Sequence, residues 1–232
     1  MATEIERIAN RYEQRKALVG NQYSKFNPEV LAGAQERQRA LVALLKSYGM
    51  VGLAGLDILE IGCGSGANLL ELLLLGAQPV NLVGNELLPD RLESARQILP
   101  QSVRLFLGDA SVLTFDDASF DIVYQSTVFT SILDDELQEL IAEAMWRWVK
   151  PGGGVLWYDF TFNNPANPDV RGVPLDRIRT LFPEGKLHFR RITLAPPISR
   201  RLCRIHPKLY AVFNTLPFLR THVLCWIAKT KD

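Results

Sequence analysis

Short apolar runs alternate with helical stretches along most of this chain. "DILEIG", "NLVGNE", "VRLFLGD", "FDIVYQS" and "GGVLWYDF" are near-continuous apolar segments bounded by turn residues, as expected of parallel strands buried on both faces. A helix is predicted from about Ala67, with Leu69, Leu70, Leu72 and Leu73 packed on the sheet. Such alternation predicts a doubly wound α/β fold. From about Ala2 to Gly49 the pattern is helical, with Leu41, Leu44 and Leu45 as an apolar stripe beside "QERQR". This predicts an N-terminal helical cap over residues 1–50 and one globular domain over residues 51–232. After Pro183 the pattern changes to a strand-like "KLHFRRITL", a Pro-rich basic helical stretch and a final strand-like "HVLCWIAK".

Composition narrows the class only slightly. A chain of 232 residues with 47% hydrophobic content is long enough for one well-buried core. Its 26 basic and 25 acidic residues point to no nucleic-acid partner. Cys63, Cys203 and Cys225 are odd in number and far apart, which suggests neither a disulfide framework nor a metal site. The N-terminus lacks an apolar leader pattern, and no apolar run approaches the ~18 residues that span a bilayer. A reducing cytoplasm is the expected location, and a place beside a membrane surface is compatible with it.

The candidate chemistry begins in "LDILEIGCGSGANLLELL". Gly62, Gly64 and Ala67 satisfy the dinucleotide fingerprint G-x-G-x-x-G/A, while Glu60, Gly62, Gly64 and Gly66 spell E-x-G-x-G-x-G, a loop suited to S-adenosylmethionine (AdoMet). Small residues are needed there because a ligand beyond the carboxyl ends of the strands approaches the first strand-to-helix turn most closely. Glu86 stands where ribose hydroxyls need a carboxylate, which both cofactors require. Asp109 in "FLGDAS" discriminates, since an acid there can accept an adenine amino group.

Together, "ILEIGCGSG", "VGNELLPDRLESA", "LGDAS", "SFDIVYQS" and "WVKPGGGVLWYDF" occur in the order and spacing of a class I AdoMet-dependent methyltransferase, and residues 56–160 resemble that family. The resemblance implies a seven-stranded, mostly parallel sheet whose last strand is antiparallel. It implies AdoMet as cofactor and S-adenosylhomocysteine as product. It places Glu60, Gly62, Gly64 and Gly66 at the methionine end, Glu86 at the ribose and Asp109 at adenine, with Cys63, Leu87, Ala110 and Gln125 also at the cofactor. Asn85 departs from the apolar residue commoner before the ribose acid. Two rival readings share the loop: a nicotinamide-dependent oxidoreductase, which leaves Asp109 and "VKPGGG" unexplained, and a non-catalytic AdoMet-binding module.

The acceptor is less legible. If it is a hydroxyl, a base helps, and the candidates are Asp159, His206 and His222. "YDFTFNNPANPDVRGV" follows the fifth strand, not the fourth, so it is not the N-P-P-Y signature of amino-group methylation; Asn163, Asn164 and Arg171 can still bind a polar acceptor. In "APPISRRLCRIHPKLYAVFNTLPFLRTH", Arg200, Arg201 and Arg204 accompany an apolar set of Leu202, Ile205, Leu209, Val212, Phe213 and Leu216, suited to an anionic, lipid-linked acceptor. This tail is similar to bacterial methyltransferases associated with surface-polysaccharide synthesis, which implies a glycan-type hydroxyl. "NRYEQRKALVGNQYSKFNP", with Tyr12, Arg15, Tyr23 and Asn27, suits a lid over a polar ligand.

Overall fold

The computed structural model describes residues 3–18, 22–164 and 167–231, and for residues 15–18 the backbone alone. Seven strands form one sheet: β1 (Ile58–Ile61), β2 (Leu82–Glu86), β3 (Arg104–Leu107), β4 (Phe120–Ser126), β5 (Val149–Phe160), β6 (Lys186–Leu194) and β7 (Arg220–Ala228). Their spatial order is β3-β2-β1-β4-β5-β7-β6. β7 runs antiparallel to both β5 and β6, so the other six strands point the same way.

Side chains alternate between two cores, as a period of two requires. Ile58, Ile122, Tyr124, Leu156, Tyr158, Leu224 and Trp226 pack toward α2 (Pro28–Ser47), α3 (Ala67–Leu74) and α4 (Pro89–Ile98). On the other face Leu59, Ile61, Val123, Val155, Trp157, Val223 and Cys225 meet α5 (Asp135–Trp148) and α6 (Leu175–Leu181). α2 buries Leu41, Leu44 and Leu45, the predicted stripe. In α3, Leu69 and Leu72 are buried but Leu70 is 38% exposed, because a 3.6-residue period turns it away from the sheet.

The two edges of the sheet are β3, predicted as a buried strand, and β6. β3 leaves Phe106 and Leu107 exposed, and β6 is mostly open to solvent. Apolar content alone does not say which strand lacks an outer neighbour.

The N-terminal cap is two helices in different places. α2 packs along β6 and β7, whereas α1 (Glu4–Leu18) lies over the carboxyl edge of β1, β2 and β4. α1 is held at that edge by Glu4, whose Oε1 accepts from Leu133 N at 3.1 Å, and by Arg11, which donates to Ser131 O at 3.0 Å. Between β6 and β7 the chain forms α7 (Pro196–Ile205), α8 (Leu209–Phe213) and a short turn at Pro217–Leu219.

Candidate active site

A pocket opens at the carboxyl edge of β1, β2 and β3. Gly62, Asn85, Glu86, Leu87, Gly108, Asp109 and Ala110 line its floor, and Ile5, Ile8 and Tyr12 of α1 cover it. The glycine turn fits tightly. Gly62 and Gly64 have φ of +65° and +58°, a region costly to residues with a Cβ. A Cβ at Gly62 would lie 2.5 Å from Val128 Cγ2, and one at Gly64 would strike the Arg91 guanidinium.

Glu86 is buried and fixed by main-chain donors: Gly64 N reaches Oε2 at 2.8 Å and Leu88 N reaches Oε1 at 2.9 Å. Arg91, 4.0 Å from Glu86, lies over the ring of Tyr12. The Asp109 carboxylate accepts from Ser111 N and Ser111 Oγ, each at 2.8 Å. Asn85, the departure from the family pattern, donates to Gly108 O at 2.8 Å and so ties β2 to the turn that presents Asp109. Cys63 is buried, with its thiol pushed up by desolvation and by Glu60 and Glu86, and is therefore inert.

A second polar group, partly buried around Arg37 and fully buried at Glu60, adjoins this pocket through Ser126. Arg37 of α2 places its guanidinium 5.3 Å from the Tyr158 ring centroid. It donates to Glu71 Oε2 at 3.2 Å and reaches Ser126 Oγ at 3.5 Å. Glu60, fully buried, accepts from Asn68 Nδ2 at 2.6 Å through Oε1, while its Oε2 has no hydrogen-bond partner among the described residues. Desolvation raises its pKa to about 8 despite Asn68 and Arg37. An unsatisfied buried carboxyl beside a glycine turn fits the cationic methionine end of AdoMet.

Sequence reasoning missed Arg37, Arg91, Tyr158 and, in α1, Ile5 and Ile8, while it named Tyr12 as part of a lid. Arg37 left one signal: it shares a helical face with Leu41, Leu44 and Leu45, an odd place for a charge. Thr127, a β-branched residue at φ +57°, lines the pocket and left none.

The acceptor candidates are scattered. Asp159 is buried and raised to about 7 by desolvation. Thr130 N donates to it at 3.2 Å and Phe160 N at 3.1 Å, so it anchors the 129–131 turn and is absent from the pocket lining. His222 stacks on Tyr158 at 5.1 Å with its pKa lowered to about 4 by burial, then by Arg37. It is a neutral imidazole and a weak base. His206 is exposed at the α7–α8 turn, where Nδ1 accepts from Lys208 N at 3.2 Å.

Gln125 is buried and accepts from Val128 N at 3.1 Å through Oε1, which fixes the loop after β4. Asn163 Oδ1 accepts from Gly172 N at 2.9 Å, and Arg171 pairs with Asp135. Asn164 O accepts from Asn167 N at 3.0 Å; Pro165 and Ala166 lie outside the described residues. Arg200, Arg201 and Arg204 stand on α7 and none lines the pocket. Ile205, Val212 and Leu216, expected on one apolar face with Leu202 and Phe213, are exposed instead, because the chain breaks at His206 into two short helices. Tyr12 lines the pocket, Tyr23 is exposed, Asn27 precedes α2, and the Arg15 side chain falls outside the described residues.

The architecture is the class I methyltransferase fold. Residues 58–153 match the family model described as a methyltransferase domain. The chain is 29% identical over 124 residues, 53% of its length and 36% of the relative's, to 2-methyl-6-phytyl-1,4-hydroquinone methyltransferase of Synechocystis sp.. It is 35% identical over 106 residues, 44% of its length and 42% of the relative's, to demethylmenaquinone methyltransferase of Deinococcus radiodurans. It thus spans less than half the length of either protein. The PH0226 protein of Pyrococcus horikoshii superposes with a TM-score of 0.64 at 16% identity, covering 93% of this chain and 99% of that one.

Proposed function

We propose that this chain is an AdoMet-dependent methyltransferase acting on a small or lipid-linked polar acceptor, a glycan-type hydroxyl, at or near a membrane surface in the cytoplasm. The observation that carries the cofactor is the pair of buried acids, Glu60 and Glu86, on either side of a glycine turn whose positive φ and close neighbours disfavour a Cβ. Bound AdoMet would supply an electrophilic methyl on a sulfonium that leaves readily.

The chain's own residues position and shelter. Glu86 would take the ribose hydroxyls and Asp109 the adenine amino group. Glu60 Oε2 would meet the α-ammonium and Arg37 the carboxylate of the methionine end. This pocket encloses about 100 Å³, below the ~300–1,000 Å³ usual for small-molecule sites. Entry therefore requires Arg91 and Val128 to swing aside and α1 to lift, after which α1 closes and excludes water. With His222 neutral and Asp159 engaged by main-chain donors, rate would come from alignment of acceptor and methyl more than from a strong base.

The names of the two relatives favour a second acceptor class, a quinone or hydroquinone, which in the first carries a phytyl tail. Both classes join a polar nucleophile to a lipid. Calorimetry with AdoMet, S-adenosylhomocysteine and NAD tests the cofactor, and tight NAD binding without AdoMet binding overturns the reading. Methyl transfer over a panel of lipid-linked glycans and prenylated hydroquinones then chooses the acceptor; AdoMet binding with no transfer to either class would leave a binding module.

A further inference from the structure

Charge is segregated along this chain. From Lys186 to Lys231 there are ten lysines and arginines and not one aspartate or glutamate, in a protein with 26 basic and 25 acidic residues overall. Because β6 runs parallel to β5, the chain leaves Leu194 at the same edge of the sheet where β4 and β5 end. The segment Ala195–Leu219 therefore lies along the same edge of the sheet as the site, at the β6 end and away from β3, before β7 returns.

That segment is firmly held on its inner side. Cys203 and Tyr210 are buried against Leu194, with Leu202, Phe213 and Leu219 packed around them. Glu36 of α2 accepts from Tyr210 Oη at 2.7 Å and from Asn214 Nδ2 at 2.6 Å. Its outer side is a different surface. Arg201, Arg204 and Ile205 share the face of α7 opposite Ser199 and Cys203. Lys208, Val212, Leu216 and Phe218 continue the exposed set, with Ile205 and Phe218 more than three-quarters exposed.

Isolated exposed apolar residues are ordinary. Here they are interleaved with arginine and lysine and with no acid of the segment itself, Glu29 and Glu36 of α2 facing Cys203, Tyr210 and Asn214 on its inner side, which is the chemistry of an interfacial membrane contact. The surface also leads to the site. Phe26 and Leu31, both exposed, stand at the start of α2, where Ala32 packs into the α7–α8 cluster. Farther along the same helix Arg37 reaches Ser126 at the pocket.

We infer that the outer face of α7, α8 and the Pro217–Leu219 turn docks this protein on an anionic bilayer, with Ile205 and Phe218 entering the headgroup boundary and Arg201, Arg204 and Lys208 meeting lipid phosphates. The inference deepens the reading of a lipid-linked acceptor and rests on it for its purpose; docking itself needs no turnover.

Flotation of the full chain with phosphatidylcholine vesicles, with and without phosphatidylglycerol, tests it. The protein should float with the anionic vesicles and stay behind with the neutral ones. Arg201→Glu/Arg204→Glu should lower the partition coefficient at least about tenfold, given ~1 kcal/mol per basic residue near such a surface. Phe218→Asp should lower it severalfold even at low salt, which a purely electrostatic contact would not show. An unchanged melting temperature in both variants secures the comparison. Absence of binding, equal binding to both vesicle types, or variants that float like wild type would overturn the proposal. So would equally tight binding to a single-stranded oligonucleotide, which would mark a general polyanion surface. Intact flotation of a protein that fails to bind AdoMet would sink the methyltransferase reading and leave the docking face standing.

Discussion

The proposed nucleoside end and the proposed methionine end of the candidate site are built in opposite ways. At the nucleoside end Glu86 and Asp109 stand just beyond β2 and β3, and both are held by nearby main-chain amides, those of Gly64 and Leu88 for Glu86 and that of Ser111 for Asp109. At the methionine end Arg37, Glu71, Ser126, Tyr158 and His222 come from α2, α3, β4, β5 and β7. They are held by one another, and Glu60 keeps an unsatisfied oxygen. The first end is preorganised by local turns. The second depends on how α2 is laid across the sheet, so it is the end at which a common fold can acquire its own preferences.

Glu86→Ala gives the largest expected effect, because it removes charge-assisted hydrogen bonds to the ribose worth roughly 1.5–3 kcal/mol. AdoMet, S-adenosylhomocysteine and adenosine should all bind about ten- to a hundredfold more weakly by calorimetry. Arg37→Met should cost AdoMet and S-adenosylhomocysteine about tenfold and leave adenosine, which has no carboxylate, at wild-type affinity. Equal losses for all three ligands would mean that Arg37 merely supports the fold, and the two ends would no longer be separate. Asp109→Asn should cost only severalfold, since Ser111 already occupies both carboxylate oxygens.

Removing residues 1–18 takes away Ile5, Ile8 and Tyr12 and should weaken AdoMet severalfold while the sheet still folds, as followed by circular dichroism. Unchanged affinity would make α1 simple cover.

The smallest effect separates the ends by pH. Glu60 has a pKa of about 8 in the folded chain against 4.5 when unfolded. Between those values the folded chain keeps a proton that the unfolded chain has released, so rising pH favours unfolding. Asp159 acts in the same direction up to about 7. His222, lowered from 6.5 to about 4, opposes both, and only below pH 6.5. From pH 7 to 8 the fall should come mainly from Glu60, at about 1 kcal/mol because half of its proton is lost by pH 8, or roughly 2–4 °C in a domain of this size. Glu60→Gln should flatten that part of the melting curve; a slope like wild type would place the raised pKa elsewhere.

Several features were legible from the residues because their causes are local. The periodicity of "DILEIG" and "FDIVYQS" marks strands wherever the sheet forms, and a glycine turn needs positive φ whatever surrounds it, so β1, β4 and the turn at Gly62 and Gly64 could be read directly. Glu86 and Asp109 follow their strands by position alone. Burial is not local. Phe106 and Leu107 read as core and are exposed because β3 is an edge of the sheet, while Arg37 reads as surface and is largely covered because α2 turns it toward Tyr158. Asp159 and His206 looked alike as bases until the fold placed one under the 129–131 turn and the other on an open corner. The apolar and basic residues between β6 and β7 were visible in the chain. Their division into an inner face on Glu36 and an outer face in solvent was decided by packing, because a helix pattern gives the angle between side chains and only the neighbouring elements fix which angle points inward.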